Sequence, residues 1–199
     1  LYSYDYDNNK LGYEQLIDVD SFVDFFLLNE FTCNYDAGWL STFLYKDIDG
    51  KFRMCIWDFN SACDNYQESM ILPNHFEMQN CLWYFMLCKD EGFTSRCVER
   101  YRQLRKTYFN EDYLNHYIDD VVAYLGDAIK RNYEKWGYTF GEDQDMLKPT
   151  DRNPRTYEES IEDMKEFISI RGAWMDENIE TLKQYSAASK VKKFNENAN

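Results

Sequence analysis

The sequence contains few of the residues that interrupt regular structure, with three prolines and eight glycines in 199 residues. A sandwich or barrel of short strands needs many tight turns, and Gly and Pro supply most of them. Aromatic residues, in contrast, make up 18% of the chain and favour a large packed interior. A chain of this length can bury one sizeable core. We therefore predict a predominantly α-helical α+β fold.

Basic residues are also scarce. Lys and Arg number 22 against 36 Asp and Glu, which gives a formal net charge of −14. Binding along nucleic acid needs a basic surface, so this balance argues against nucleic acid as a partner. An acidic chain can still bind a nucleotide when a divalent cation neutralises the phosphates, and it can attract a basic protein by long-range electrostatics. Solubility alone also explains the charge.

Long apolar runs and zinc motifs are missing too. No run approaches the roughly 18 apolar residues that cross a bilayer, since Phe22–Leu28 is interrupted by Asp24. The six cysteines form no Cys-x-x-Cys pair, and neither histidine stands at zinc-site spacing from them. Cys81 and Cys88 lie two helical turns apart among apolar residues, so we predict that both are buried free thiols.

A calcium loop beginning at Asp5 is excluded by its later positions. The pattern Asp5-x-Asp7-x-Asn9 starts like an EF-hand loop, which needs Gly at its sixth position and Glu at its twelfth. The chain has Lys10 and Leu16 there.

The segment from Asp36 to Asn60 predicts a β-hairpin with acidic residues at its open end. Two runs of strand-favouring residues, Leu40–Tyr45 and Phe52–Trp57, flank the turn sequence Asp47-Ile-Asp-Gly50, which can supply left-handed backbone. Pairing brings Asp58 to the level of Trp39, close to Asp36. Neighbouring carboxylates repel unless a cation or shared proton lies between them, so we predict a metal or catalytic site with the two carboxylates roughly 4–7 Å apart. Turn formation and helix capping are the alternative roles for these two residues.

Capping signals predict most of the helices. We expect Asp20 to begin a helix with apolar residues between positions 22 and 31, whose end delivers Glu30, Asn34 and Asp36 to the site. Further starts are predicted at Thr94 or Ser95, at Asn110, and at the capping box Thr156-x-x-Glu159, with a break or kink at Gly126 and a bend at Gly172. The apolar run Cys81–Leu87 is predicted to be a buried helix, and residues 61–76 a loop.

Several segments, taken in order, resemble a known family. They are Asp18-Val-Asp-Ser-Phe-Val-Asp-Phe-Phe-Leu-Leu-Asn-Glu30, Asn34-Tyr-Asp36, Leu40–Lys51, Ile56-Trp-Asp-Phe-Asn60, Arg100–Arg105, Arg131–Trp136 and Arg171–Ile179. This ordered set is similar to the CotH family of atypical protein kinases, which are secreted or belong to spore coats. The resemblance covers nearly the whole chain.

The resemblance implies roles for individual residues. Asp36 would be the catalytic Asp and share a metal, Mg²⁺ or Mn²⁺, with Asp58 and Asn60, while ATP and a secreted, cell-surface or spore-coat protein would be the substrates. Three places depart from the pattern, and at one of them Cys63-Asp64 stands where the family has a glycine. Asn60 stands where family members often have a second Asp, and Ser41 stands where a protein-kinase catalytic loop has a metal-binding Asn. A catalytically weak or inactive binding module is therefore the alternative function.

The chain has no Gly-x-Gly-x-x-Gly motif of the kind that covers nucleotide phosphates in kinases. We therefore interpret residues 1–185 as the C-terminal lobe of a kinase domain whose nucleotide-clamping lobe lies upstream, and residues 186–199 as a flexible polar tail. A lobe without its partner should expose apolar residues, and we expect Trp39 and Trp57 to be among them.

Overall fold

The computed structural model describes residues 1–8, 10–141 and 146–186. It is mainly helical with one small sheet, as predicted. Its main elements are α1 (Val19–Thr32), β1 (Phe43–Tyr45), β2 (Arg53–Cys55), α2 (Tyr84–Leu87), α3 (Glu91–Arg105), α4 (Glu111–Leu125), α5 (Asp127–Trp136) and α6 (Tyr157–Asn178), and 3-10 turns include Tyr13–Gln15, Met78–Asn80, Gly137–Thr139, Thr150–Arg152 and Ile179–Tyr185. In the described part of the chain, no helix combines the length and apolar character needed to cross a membrane. Asn9, which the rejected calcium loop included, and the predicted tail beyond Ser186 lie outside the described residues.

Helix α1 is the centre of the core. It contacts α3, α6 and β2, and its aromatic and aliphatic residues Phe22, Val23, Phe25, Phe26, Leu27 and Phe31 are all buried. The helix begins two residues earlier than predicted, because Asp18 rather than Asp20 is the N-cap. The extended backbone of Asp18 lets its Oδ1 accept a hydrogen bond from the Ser21 N–H at 3.0 Å. Asp20 is left in the first turn with its side chain in solvent.

The other helix starts follow the same chemistry with one correction. Asp90 caps α3 by accepting from the Gly92 N–H at 2.8 Å, so the prediction of Thr94 or Ser95 is wrong. Asn110 caps α4 as predicted, and Thr156 accepts from the Glu159 N–H at 3.1 Å at the start of α6. Gly126, at φ 46°, separates α4 from α5.

Two predicted features of the central region change in detail. The run Cys81–Leu87 is buried at Cys81, Tyr84 and Leu87, but only Tyr84–Leu87 is α-helical, since Leu82 adopts a left-handed φ of 35° and prevents an earlier start. Gly172 does not break α6, which continues through it. Its missing side chain instead allows a close approach, because a Cβ there would lie 3.1 Å from the Arg105 guanidinium. Residues 61–76 form the predicted loop.

The hairpin forms as predicted, with Phe43 paired to Cys55, Leu44 to Met54 and Tyr45 to Arg53. Its turn is closed by a hydrogen bond from the Gly50 N–H to the Asp47 carbonyl at 3.1 Å, and Gly50 does not use positive φ. The expectation of a left-handed turn is therefore wrong. The connection between the last paired residues, Tyr45 and Arg53, is long enough to reverse the chain without a residue of positive φ. Met54 is buried, and β2 contacts α1, so the hairpin is anchored on the core helix.

The six cysteines, all within the described ranges, are free thiols, and Cys81, Cys88 and Cys97 are buried. The prediction for Cys81 and Cys88 is confirmed. Burial raises the pKa of the Cys33, Cys63 and Cys81 thiols to about 12, and it also raises the pKa of Cys88 and Cys97. Only a thiolate attacks a disulfide reagent.

We therefore expect one rapidly reacting thiol in the native protein at pH 8, the half-buried Cys55 on β2. A colorimetric disulfide reagent should release about one equivalent quickly and the rest only after urea is added, since a thiol of pKa near 12 is roughly 0.01% ionised at this pH. Mass spectrometry of the labelled peptides identifies the site. Fast labelling of Cys33 or Cys63 would show that burial does not raise the pKa of these thiols enough to keep them protonated.

Candidate functional site

The candidate site begins where α1 ends. Cys33 takes a left-handed conformation (φ 46°), and its N–H donates to the carbonyls of Asn29 and Glu30. This C-cap turns the chain sharply out of the helix. Asn34, the next residue, is buried, and Asp36 follows two residues later in a half-buried position.

Asn34 joins the two ends of the hairpin. Its Nδ2 donates to the Asn29 Oδ1 at 3.0 Å and to the backbone carbonyl of Asp58 at 3.1 Å. The segment that leaves the hairpin is thus bound to the segment that enters it. Asn34 Oδ1 is buried and has no hydrogen-bond partner among the described residues. An orphaned buried acceptor is uncommon and costs free energy, so it marks this junction as a specialised point of the fold.

Each of the two predicted carboxylates has a serine hydroxyl beside it. Ser61 Oγ donates to Asp36 Oδ2 at 3.1 Å, and Ser41 Oγ lies 3.4 Å from Asp58 Oδ2. Ser61 is buried, whereas Asp58 is exposed. Asn60 is also exposed, and its backbone carbonyl accepts from Asn65 Nδ2 at 2.8 Å. The structure therefore places the three predicted site residues in one neighbourhood, and the separation of the two carboxylates stays a prediction.

Backbone strain is concentrated in this neighbourhood. Within the described chain, six residues other than glycine have positive φ, and five of them lie here. The five are Cys33, Ser41, Asp58, Cys63 and Asp64. Such conformations cost about 1–3 kcal/mol each and persist where the surrounding structure holds them, frequently at functional sites. Hydrogen bonds provide that support: the Cys63 N–H donates to the Thr32 carbonyl at 2.7 Å, and Asp64 binds Arg152.

The donors gathered here are oxygen atoms. Carboxylates from Asp36 and Asp58, the amide of Asn60 and the hydroxyl of Ser41 are ligands for a hard cation such as Mg²⁺, which usually keeps water or phosphate oxygens on several of its positions. Across residues 1–8, 10–141 and 146–186, no three or more His, Cys, Asp or Glu side chains are grouped to hold a metal ion. The chemistry of the donor set thus fits a cation that also binds phosphate, and it does not form an all-protein cage.

Glu30 does not join this site, contrary to the sequence-based expectation. It is 1% exposed, and its carboxylate binds Arg171, which comes from α6. Burial raises the pKa of the Glu30 carboxyl to about 7, opposed by the positive charge of Arg171 and by backbone N–H groups. Its environment is therefore that of a buried ion pair and differs from that of the half-exposed Asp36.

Sequence reasoning missed Ser61 and Arg171. Ser61 directly follows Asn60, so its position could have suggested a contact with the site, but serine is too common in loops to indicate one. Arg171 stands 141 residues from Glu30 along the chain, and no local pattern connects them. Tyr35 and Tyr66, whose rings stack 4.2 Å apart beside Asp36, were also not identified.

The outer face of the hairpin is apolar and exposed. Trp39 is 56%, Trp57 58% and Phe43 53% accessible, and the rings of Phe43 and Trp57 pack edge to face with centroids 5.7 Å apart. The prediction that Trp39 and Trp57 are exposed is confirmed. Large contiguous patches of exposed apolar surface are found where proteins bind another molecule or domain.

Comparison with known proteins identifies the family. The family model described as CotH kinase protein matches residues 3–175 of the 199-residue chain. No curated protein sequence and no solved structure gives a significant match. The matched region includes α1, the hairpin, the loop that follows it and nearly all of α6. The chain therefore belongs to the CotH kinase family.

Proposed function

We propose that the intact protein transfers phosphate from Mg·ATP, or Mn·ATP, to Ser or Thr hydroxyls of a secreted, cell-surface or spore-coat protein. Residues 1–185 would form the C-terminal lobe of its kinase domain, with the nucleotide-clamping lobe supplied from outside this segment. The observation that carries the proposal is the hydrogen bond from Asn34 to the Asp58 carbonyl, which holds the segments of Asp36 and Asp58 together in a chain of the CotH kinase family.

The proposed roles follow from exposure and hydrogen bonding. Asp58 and Asn60 are exposed and can hold a cation, and a bound Mg²⁺ would neutralise charge on the phosphates. Asp36 would orient the acceptor hydroxyl. Because Ser61 occupies Asp36 Oδ2, the other carboxylate oxygen is free of that contact and can accept from the substrate. Positioning and charge neutralisation supply most of the acceleration in phosphoryl transfer.

The exposed face of the hairpin supports the lobe assignment. Trp39, Phe43 and Trp57 present aromatic surface directly beside the segments of Asp36 and Asp58. Aromatic faces stack well on nucleobases and also pack against a neighbouring lobe. Either contact would bury this surface in the complete enzyme, and stacking on a nucleobase would also bring the nucleotide close to the carboxylates.

A binding module without turnover is the second candidate. Ser41 and Asn60 replace stronger metal ligands of the kinase pattern, and both carboxylates already have a hydroxyl of the same chain beside them. Fewer negative charges weaken cation binding, since affinity depends on ligand charge. Such a protein would keep the fold and a nucleotide or protein partner while transferring phosphate slowly or not at all.

Calorimetric titration of the intact protein with ATP, with and without Mg²⁺, combined with an assay of γ-phosphate transfer to a basic, serine-rich protein, decides between the two. We expect Mg²⁺-dependent binding and transfer, both abolished by a chelator. Binding without transfer would favour the second candidate. If ATP does not bind in the presence of either Mg²⁺ or Mn²⁺, the kinase and the nucleotide-binding form of the second candidate are both wrong.

A further inference from the structure

A fully buried ion pair connects three parts of the chain behind the candidate site. Arg171 and Glu30 are 0% and 1% exposed, and their side chains meet with Nη2 and Oε2 2.9 Å apart. Arg171 Nε also donates to the Glu30 backbone carbonyl at 3.0 Å, and Nη1 donates to the carbonyls of Pro73 and His75, both at 2.7 Å. One guanidinium thus binds the last turn of α1 and the segment at residues 73–75.

Glu30 binds the same segment from its other oxygen. Its Oε1 accepts hydrogen bonds from the backbone N–H groups of Glu77 at 2.8 Å and Met78 at 2.6 Å. The Arg171 guanidinium carbon lies 4.8 Å from the Trp174 ring centroid and 5.9 Å from that of Phe76. The two side chains therefore take part in six hydrogen bonds and lie beside two aromatic rings, so the geometry of the pair is tightly fixed.

The position of the pair along the chain connects it to the site. Glu30 lies in the last turn of α1, directly before the Cys33 cap and Asn34. Residues 73–76 end the loop that begins just after Asn60, and Glu77 and Met78 follow it directly. The pair consequently ties the backbone that enters the site to the backbone that leaves it. A buried ion pair is weak evidence for stability, because desolvation cancels much of its Coulomb energy, whereas loss of one partner is costly.

We propose that Glu30 and Arg171 are positioning residues, which fix the segment carrying Asp36 relative to the loop that follows Asp58 and thereby set the geometry of the site. The activity measurement that tests this proposal rests on the function proposed above. The guanidinium is planar and binds three carbonyls and a carboxylate at once, which the single ammonium of lysine cannot reproduce.

The variants are Arg171→Lys, which keeps the charge, and Glu30→Gln, which keeps acceptors for Glu77 and Met78. The matched control is Arg100→Lys. Arg100 also pairs with a carboxylate of α1, with Nε 2.7 Å from Asp24 Oδ1, but it is half exposed, and the side-chain hydrogen bonds of its guanidinium among the described residues go to Asp24. All three are made in the intact protein and compared at equal concentrations of folded protein, determined by circular dichroism and urea unfolding.

Hydrogen exchange at the Glu77 and Met78 amides tests the contacts independently of activity. We expect exchange to accelerate at least about tenfold in Arg171→Lys and to stay unchanged in Arg100→Lys. Per folded molecule, kcat should fall at least about tenfold in Arg171→Lys with a smaller change in the KM for ATP, because geometry of the transition state is affected more than nucleotide binding. A purely structural pair would lower the folded fraction and leave kcat per folded molecule unchanged.

Each other outcome overturns part of the argument. Unchanged exchange would show that the pair does not hold the segment, and faster exchange with unchanged kcat would show that it does not position the site. If the wild-type protein transfers no phosphate, the proposed function is overturned. The Mn²⁺ affinities of the wild type and of Arg171→Lys are then measured in place of kcat. An Mn²⁺ affinity that Arg171→Lys leaves unchanged, or no Mn²⁺ binding by wild type, would also overturn the positioning role.

Discussion

Replacement of Asp58 by Asn in the intact protein is expected to lower Mg·ATP-dependent phosphate transfer by about a thousandfold or more. Asn has the same shape, and the Ser41 hydroxyl beside Asp58 Oδ2 can also bond to an amide. The substitution therefore removes little except the negative charge. In the proposed mechanism that charge would hold the cation against the phosphates, and Asn60 and Ser41 carry none that could replace it.

The matched control is Asp49→Asn in the turn of the same hairpin. Asp49 is exposed and stands at the far end of the strands from Asp58, so its charge contributes nothing to the site. Both variants should unfold in urea at the wild-type midpoint, and only Asp58→Asn should lose transfer. Near-wild-type transfer by Asp58→Asn would show that Asp58 does not hold the metal.

The hairpin was predictable because its information is local. Two strand-favouring runs around a turn sequence fix an antiparallel register, and a register places the residues before and after it at one end. This reasoning brought Asp36 and Asp58 together without any knowledge of the core. The same locality explains the success at Asn110 and Thr156, where one capping residue stands before a clear helical pattern.

The sequence alone could not show which of two neighbouring Asp residues caps α1. Asp18 and Asp20 both precede the apolar face of α1, and the cap is decided by the backbone of Asp18, which is extended as it pairs with Phe52. Its N–H donates to the Phe52 carbonyl at 2.8 Å. That contact comes from the hairpin, so tertiary structure selects the cap and sequence alone cannot.

The contacts of Arg171 and Glu30 behind the site could not be predicted, for a related reason. The role of Arg171 depends on carbonyl groups of Pro73 and His75, and backbone carbonyls have no signature in a sequence. Glu30 also looked like a site residue because it precedes Asp36 by less than two helical turns. The left-handed cap at Cys33 redirects the chain between them, which separates their environments.

Gly38→Ala is expected to destabilise the protein by about 2–4 kcal/mol, the sum of a left-handed alanine and of overpacking. Gly38 lies two residues after Asp36 at φ +84°, and a Cβ there would stand 2.5 Å from the Cys81 Cβ. Because that neighbour is the first side-chain atom of a buried residue, it cannot rotate away. The loop of Asp36 would have to move from the core, so we also expect weaker nucleotide binding.

Gly50→Ala is the matched control, since both glycines belong to the segment from Asp36 to Asn60. A Cβ at Gly50 would meet nothing closer than 3.5 Å, in an exposed turn and without positive φ, so the free energy of unfolding should change by less than about 0.5 kcal/mol. Urea unfolding followed by far-ultraviolet circular dichroism measures both variants. The close packing of the Asp36 loop on Cys81 would be wrong if the two variants unfolded at the same urea concentration. A much lower midpoint for Gly38→Ala would support it, because the two substitutions add the same methyl group and differ in φ and in what that group meets.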